Sequence, residues 1–279
     1  MTHKPCDVTL LYDLDAIERM GLGRALVALR AEGYPTLACT RNEVAALAIG
    51  DQVGCWLGFG SISFIREAIA CLHHVPLAYF SNDRFNFSRY AHKLPTGCLL
   101  NDDAIFLPCL TLLSRVGQMK KCFAGERLFV RPDSGSKVFT GNSFSYTELA
   151  SELSSLKQLT SLTDDTLLAI SSAKSIQAEY RFFIVNKAIV GGSAYSFDGL
   201  HNADIPDGAI LLAQTIANHE WQIDVAYTCD VALTENGFRV VELNAGSTSG
   251  FYEADARNII RAMAEAAWLE FIGELSMEN

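Results

Sequence analysis

The stretch FRVVELNAGSTSGFY, residues 238–252, starts as an apolar strand and then places two polar side chains inside it, Glu242 and Asn244. Residues at i and i+2 of a strand point to the same face, so an acid and an amide stand side by side just before the small-residue run Ala245–Gly250. The preceding stretch, WQIDVAYTCDVALTENG (residues 221–237), supplies a partner strand. A three-residue loop, Glu235-Asn236-Gly237, with Gly237 left-handed, pairs Thr234 with Phe238 and sets Asp230 opposite Glu242. Asp230, Glu242 and Asn244 then share one face, and Val225, Tyr227, Val231, Val241 and Leu243 form the core face. A two-residue Asn-Gly loop shifts the pairing by one and separates Asp230 from Glu242. The apolar pattern does not choose between the two loops; the gathering of three oxygen ligands favours the first.

Two carboxylates and an amide oxygen suit a hard cation such as Mg²⁺, which completes its octahedron with water and substrate phosphates. Taken alone, a Glu-x-Asn pair equally fits a solvated sheet face. Two upstream stretches change the reading. LFVRPDSGSKVFTG (residues 128–141) puts Arg131 at the end of an apolar strand, Ser134 and Gly135 in a turn, and Lys137 at the start of the next strand. Free backbone N–H groups flanked by two cations suit a polyphosphate. QAEYRFFIVNKAIVGG (residues 177–192) puts Glu179 and Arg181 on one face of a hairpin strand turning at Asn186-Lys187. A buried Arg is costly unless paired. Each stretch alone reads as an ordinary hairpin. In this order, Arg131, Lys137 and Arg181 would hold phosphates, and Asp230, Glu242 and Asn244 would hold Mg²⁺ bridging them.

The ordered motifs RPDSGSKVFTG, EYRFFIV and ELNAGSTSGFY resemble those of the ATP-grasp superfamily, closest to a clade of phage and bacterial ATP-grasp proteins. The resemblance covers roughly residues 100–279. It implies an α/β N-terminal domain (1–100) followed by an α+β ATP-grasp fold (101–279), its small lobe at about 122–170 and large lobe at about 171–279 clasping ATP. It also implies ATP-dependent joining of a carboxylate to an amine through an acyl-phosphate, with ADP released. Arg131, Lys137, Ser134, Gly135, Ser172, Lys174, Glu179 and Arg181 would bind the nucleotide, with Arg131, Lys137 and Arg181 acting on the moving phosphoryl group. Many family members carry Lys where this chain has Arg131; Arg clamps phosphate bidentately but is not a movable ammonium. The same ATP site would also serve a kinase or a nucleotide sensor.

The beginning of the chain alternates strand and helix: DVTLLYD, AIERMGLGRALVALRAEGY, PTLACT, GCWLGFG, SISFIREAIACLHH capped by Ser61 or Ser63, then VPLAYF as a further strand. That grammar predicts a small parallel sheet. Residues 81–108 read as an irregular connector, in which Asn82, Asp83 and Arg84 are candidates for the acceptor substrate. Ser247, Thr248 and Ser249 offer hydroxyl contacts behind the metal strand, and His201 and His219 are weaker candidates.

A net charge of −10 with 19% charged residues gives no general attraction for nucleic acid or anionic membrane. The eight cysteines form no CxxC pair or zinc-like cluster and read as core residues of a reduced, cytoplasmic protein. No long apolar stretch follows a basic head at the start, so a signal peptide is not expected. The expected partners are small-molecule or peptide carboxylates and amines.

Overall fold

The computed structural model describes residues 4–47, 54–123, 125–135, 138–195 and 204–276. Strands β1 (Val8–Asp13), β2 (Thr36–Cys39) and β3 (Cys55–Phe59) form a parallel sheet in the order β2-β1-β3. β1 and β3 are buried along almost their whole length, as their apolar runs require in a parallel sheet covered on both faces. The helix expected after β1 is broken into Ile17–Met20 and Gly23–Ala31, because Gly21 between them takes φ 75°. The helix Ile62–Cys71 is capped by Ser61, whose Oγ accepts from Phe64 N. VPLAYF is not a strand. Pro76 has no N–H to give to a ladder, and the segment offers single carbonyls instead, Leu77 O to Gly58 N and Tyr79 O to Ser247 N.

The second sheet is antiparallel: β4 (Ile105–Pro108), β5 (Arg127–Pro132), β6 (Asn142–Ser145) and β7 (Leu167–Ser172), in the order β4-β7-β5-β6. β4 lies inside the segment expected to be irregular, and β6 starts only at Asn142, beyond SKVFTG. The helix Leu149–Leu159 and the shorter helices Cys109–Ser114 and Val116–Cys122 bury Leu153, Leu112 and Met119 against Leu128, Val130, Leu168 and Ile170.

The third sheet, also antiparallel, comprises β8 (Ala178–Val185), β9 (Ala188–Tyr195), β10 (Ala226–Thr234) and β11 (Gly237–Ala245), in the order β11-β10-β8-β9. The β8–β9 hairpin turns at Asn186 and Lys187, both with φ > 0 as a two-residue loop demands. The β10–β11 hairpin departs from expectation. Thr234 pairs with Gly237 across Glu235-Asn236, and a bulge then makes Val241 the unpaired extra residue, so that Asp230 faces Glu242 and Thr228 faces Asn244. The expected juxtaposition therefore holds, restored by the bulge rather than set by the loop. Gly237 is left-handed, at φ 88°.

The two faces of this sheet are covered differently. The helix Asp207–Ala217, which the sequence reading left unassigned, packs on Tyr227, Cys229, Val231 and Leu243. Val225 joins the other core instead, beneath the helix Ala256–Phe271, which is wedged between the first and third sheets against Leu10, Leu57, Phe183 and Ala226. That helix covers only part of its face and leaves the stretch carrying Arg181, Asp230, Glu242 and Asn244 to the polar site. The free edge of β11 is closed by residues 98–100, with Leu100 N donating to Val240 O and Val240 N to Cys98 O.

Candidate active site

Arg181 on β8 lies directly across from Asp230 on β10, in register. Its Nε and Nη2 donate to the two Asp230 oxygens at 2.7 and 2.6 Å, and Asp230 is fully buried. Asn244 Nδ2 donates both to Asp230 Oδ2 at 3.1 Å and to Glu242 Oε1 at 2.9 Å. The other Glu242 oxygen pairs with Arg131 Nη2 at 2.7 Å. Arg181–Asp230–Asn244–Glu242–Arg131 is thus one alternating chain of charges and amide, running from the third sheet to the second. Both guanidinium groups lie over aromatic rings, Arg131 over Phe87 and Arg181 over Tyr252. Burial works against the charge on Arg131, but the Glu242 carboxylate outweighs it and its pKa is raised.

Two cavities meet at this chain. One, of about 340 Å³, lies between the second and third sheets and is lined by Arg131, Ser134, Lys174, Glu179, Arg181 and Glu242. The other, of about 670 Å³, lies between the first-sheet region and the third sheet, with Gly135, Arg181, Asn244, Ser249 and Tyr252 in its wall. Arg181 and Tyr252 line both. The turn after β5 also borders both, Ser134 on one cavity and Gly135 on the other. A Cβ on Gly135 would lie 3.0 Å from Phe85 Cβ and 3.3 Å from Phe85 O, so a larger residue would push this turn outward.

The structure brings together Arg131, Ser134, Gly135, Lys174, Glu179, Arg181, Asp230, Glu242 and Asn244. Lys137 and His201 lie outside the described residues. Ser172 is turned onto Asp103, which accepts from its N–H at 3.0 Å and its Oγ at 2.6 Å and also pairs with Lys174. Burial pushes the Asp103 pKa up, but the hydrogen bonds from Lys174 and Ser172 prevail and it is lowered. Ser247 is an internal anchor, its Oγ accepting from Tyr79 N, whereas Thr248 and Ser249 reach the larger cavity. Asn82 accepts from Arg66 Nε; Arg84 pairs with Asp224 and lines a separate groove with Asp83. His219 Nδ1 lies 3.2 Å from Trp221 O, and the residue lines neither cavity.

Two residues escaped the sequence reading. Asp103 fixes Ser172 and Lys174 at the end of β7. Asp133 accepts from Ser88 N at 2.7 Å and Ser88 Oγ at 2.8 Å, and so ties the turn after β5 to residues 87–90. The Asp in RPDSG was the available signal for the second.

Among the described residues no group of three or more His, Cys, Asp and Glu could hold a metal ion. A cation here would rest on Glu242 and Asn244. With Asn244 Nδ2 committed to two carboxylates, its Oδ1 is left as the acceptor that a hard cation needs. Both Asp230 oxygens are engaged by Arg181, so Asp230 would join the ligands only when Arg181 releases one of them.

Three sheets carrying a cationic strand–turn, an Arg strand and an acidic hairpin around one junction are the architecture of an ATP-grasp protein. The chain belongs to that family: the model of an ATP-grasp domain, the third family of its clade, matches residues 80–263. D-alanine–D-alanine ligase from Bacillus anthracis, solved with ATP, is similar in fold, with TM-score 0.64, 12% identity and coverage of 97% of this chain and 99% of that one. The ATP-grasp ligase PsnB, solved with a minimal precursor, Mg and ADP, gives TM-score 0.60 at 10% identity over 96% of this chain and 99% of that one. D-cycloserine synthetase DcsG gives TM-score 0.56 at 12% identity over 93% and 99%. No curated protein matches the chain significantly in sequence. Among the described residues no helix is long and apolar enough to cross a membrane, and all eight cysteines are free thiols.

Proposed function

We propose that the chain is an ATP- and Mg²⁺-dependent carboxylate–amine ligase, with residues 1–100 preceding an ATP-grasp unit of residues 101–279. The observation that carries this reading is the position of Arg181 in the wall of both cavities. One cavity has the lining of a nucleotide site and the other is roomy enough for a second substrate, so a phosphoryl group would cross at Arg181. Arg131 would exchange Glu242 for phosphate oxygens, and the turn at Ser134-Gly135 would offer backbone N–H groups to them. Glu242 and Asn244 would hold Mg²⁺, which when bound neutralises the polyphosphate charge. Lys174, positioned by Asp103, would face the nucleotide.

In the larger cavity a substrate carboxylate oxygen would form a bond to the γ-phosphorus as the bond to the bridging oxygen of ADP breaks. Arg131 and Arg181 would balance the charge on the moving group. An amine would then attack the acyl carbon, phosphate would leave, and the ammonium proton would pass to solvent. No covalent enzyme intermediate is needed. The buried cysteines, Cys39, Cys55, Cys98, Cys109 and Cys229, are unsuited to be nucleophiles, because burial raises the pKa of each thiol.

The test is ADP release over a panel of acids, with hydroxylamine as the amine. Hydroxamate formation is expected, and a stable phosphorylated product in its place would make the chain a kinase. Glu242→Gln keeps the shape of the side chain but removes the charge. It is expected to raise the Mg²⁺ requirement and lower turnover by about 100-fold or more. Unchanged Mg²⁺ dependence in that variant would remove Glu242 from the metal site.

A further inference from the structure

The larger cavity has a charge that the proposed ligase reaction does not by itself require. The chain has 32 Asp and Glu against 22 Lys and Arg, yet the wall of this cavity carries Arg19, Arg66 and Arg181 and no Asp or Glu. Arg181 is neutralised by Asp230. The other two are not neutralised. Arg66 donates its Nε to the neutral Asn82 Oδ1 at 2.6 Å, and Arg19 makes no ion pair with any described residue.

The nearest carboxylate of the first sheet, Asp13, is turned inward. Its Oδ2 accepts from Ser61 N at 3.0 Å and Ser61 Oγ at 2.6 Å, its Oδ1 accepts from Asp15 N, and it is only 3% exposed. Asp13 thereby fixes the first turn of the helix Ile62–Cys71, which brings Ile62 and Ser63 to the cavity wall. The positive end of that helix adds to the two arginines. Two unpaired guanidinium groups some distance from the phosphoryl-transfer point call for a second negative group on the ligand.

Building on the ligase reading, we propose that the carboxylate substrate carries a second carboxylate. Arg19 and Arg66 hold that second group, while the carboxylate to be activated lies against Arg181. The acid is either a free small dicarboxylate or an acidic residue at the end of a peptide.

The purified full chain is assayed for ADP release with glutarate, glutamate and a short peptide ending in Glu, each beside its monoamide counterpart. Binding of the same acids without nucleotide is measured by calorimetry. The diacids are expected to surpass the monoamides by about tenfold or more in kcat/KM and in affinity, because a charge-assisted pair is lost in each monoamide. Preference for the free diacid or for the peptide identifies the source. Arg19→Met and Arg66→Met are each expected to abolish that preference while leaving kcat/KM for the monoamides within about twofold. Arg66→Lys is expected to restore part of it. Equal turnover of diacids and monoamides, or an equal loss for both in the Met variants, overturns the proposal while leaving the ligase reading intact. Selective diacid binding that needs Arg19 and Arg66, without ADP release, upholds the anion site and refutes the ligase reading instead.

Discussion

The Arg181–Asp230 pair is at once a candidate catalytic element and a buried ion pair, and Asp230→Asn separates the two roles. Arg181 is 5% exposed and Asp230 fully buried, so neither charge is solvated when its partner is lost. Asp230 receives three hydrogen bonds, from Arg181 Nε, Arg181 Nη2 and Asn244 Nδ2. An Asn at 230 can offer one carbonyl oxygen to those three donors, and its own NH₂ group would face another donor. Breaking a buried pair from one side typically costs about 3–5 kcal/mol, because the remaining charge stays buried and unpaired. The single acceptor kept by Asn places this variant near the lower end, about 3 kcal/mol, a fall in Tm on the order of 10 °C for a chain of this size.

The measurement is thermal unfolding without nucleotide or Mg²⁺, so that metal binding does not contribute. The companion is the double variant Arg181→Met with Asp230→Leu. It leaves no buried charge and is expected to recover most of the lost stability while remaining inactive. A Tm within about 2 °C of wild type for Asp230→Asn would refute the argument. Asp230 would then be held only loosely by Arg181 and would be available to a cation from the start.

Arg131→Met is expected to weaken ATP about tenfold or more while leaving adenosine unchanged, since only the phosphates lose a partner; equal weakening of both, measured by calorimetry, would point to a packing defect. Burial pushes the Asp224 carboxyl up to about 6 against the pull of Arg84, and burial pushes Glu270 up to about 7. Both folded-state pKa values lie above the ordinary carboxylate range, so the folded chain holds these protons more tightly than the unfolded one. Their contribution to stability is therefore full below about pH 4 and declines as pH rises to about 7, and Asp224→Asn is expected to flatten that part of the profile. Gly237→Val places a Cβ in open space but at φ 88°, so its cost is one of backbone alone, about 1–2 kcal/mol. Urea unfolding of Gly237→Val beside Asn236→Ala, expected to lose much less, checks this.

The sequence pattern carried the parallel start, both antiparallel hairpins and the grouping of Arg181, Asp230, Glu242 and Asn244, because each rests on short-range periodicity or on motif order. It did not carry the partners that span long distances in the chain. Ser88 reaches Asp133 across 45 residues, and Ser172 reaches Asp103 across 69. In both cases a polar loop residue is fixed by a strand brought near only by the fold, and nothing local marks it. The strand Ile105–Pro108 was missed for a related reason. It is a short edge strand of four half-exposed or exposed residues, too brief for a period of two to stand out from the polar segment before it.

The β10–β11 register shows how a correct site can follow from an incorrect turn. Counting from a three-residue loop assumed an unbroken ladder, whereas the chain uses a loop one residue shorter in pairing and returns that residue as a bulge. The signal was present in Val240-Val241. Two adjacent apolar residues break strict alternation, since they cannot both face the same core. Val240 is fully buried, whereas Val241 is displaced to the wall of the smaller cavity. A bulge bends and twists its strand locally, and this one lies immediately before Glu242. The position of the bulge therefore sets the face of Glu242. Deleting Val241 would move Glu242 and Asn244 to the core face together and take the acid and the amide out of the site.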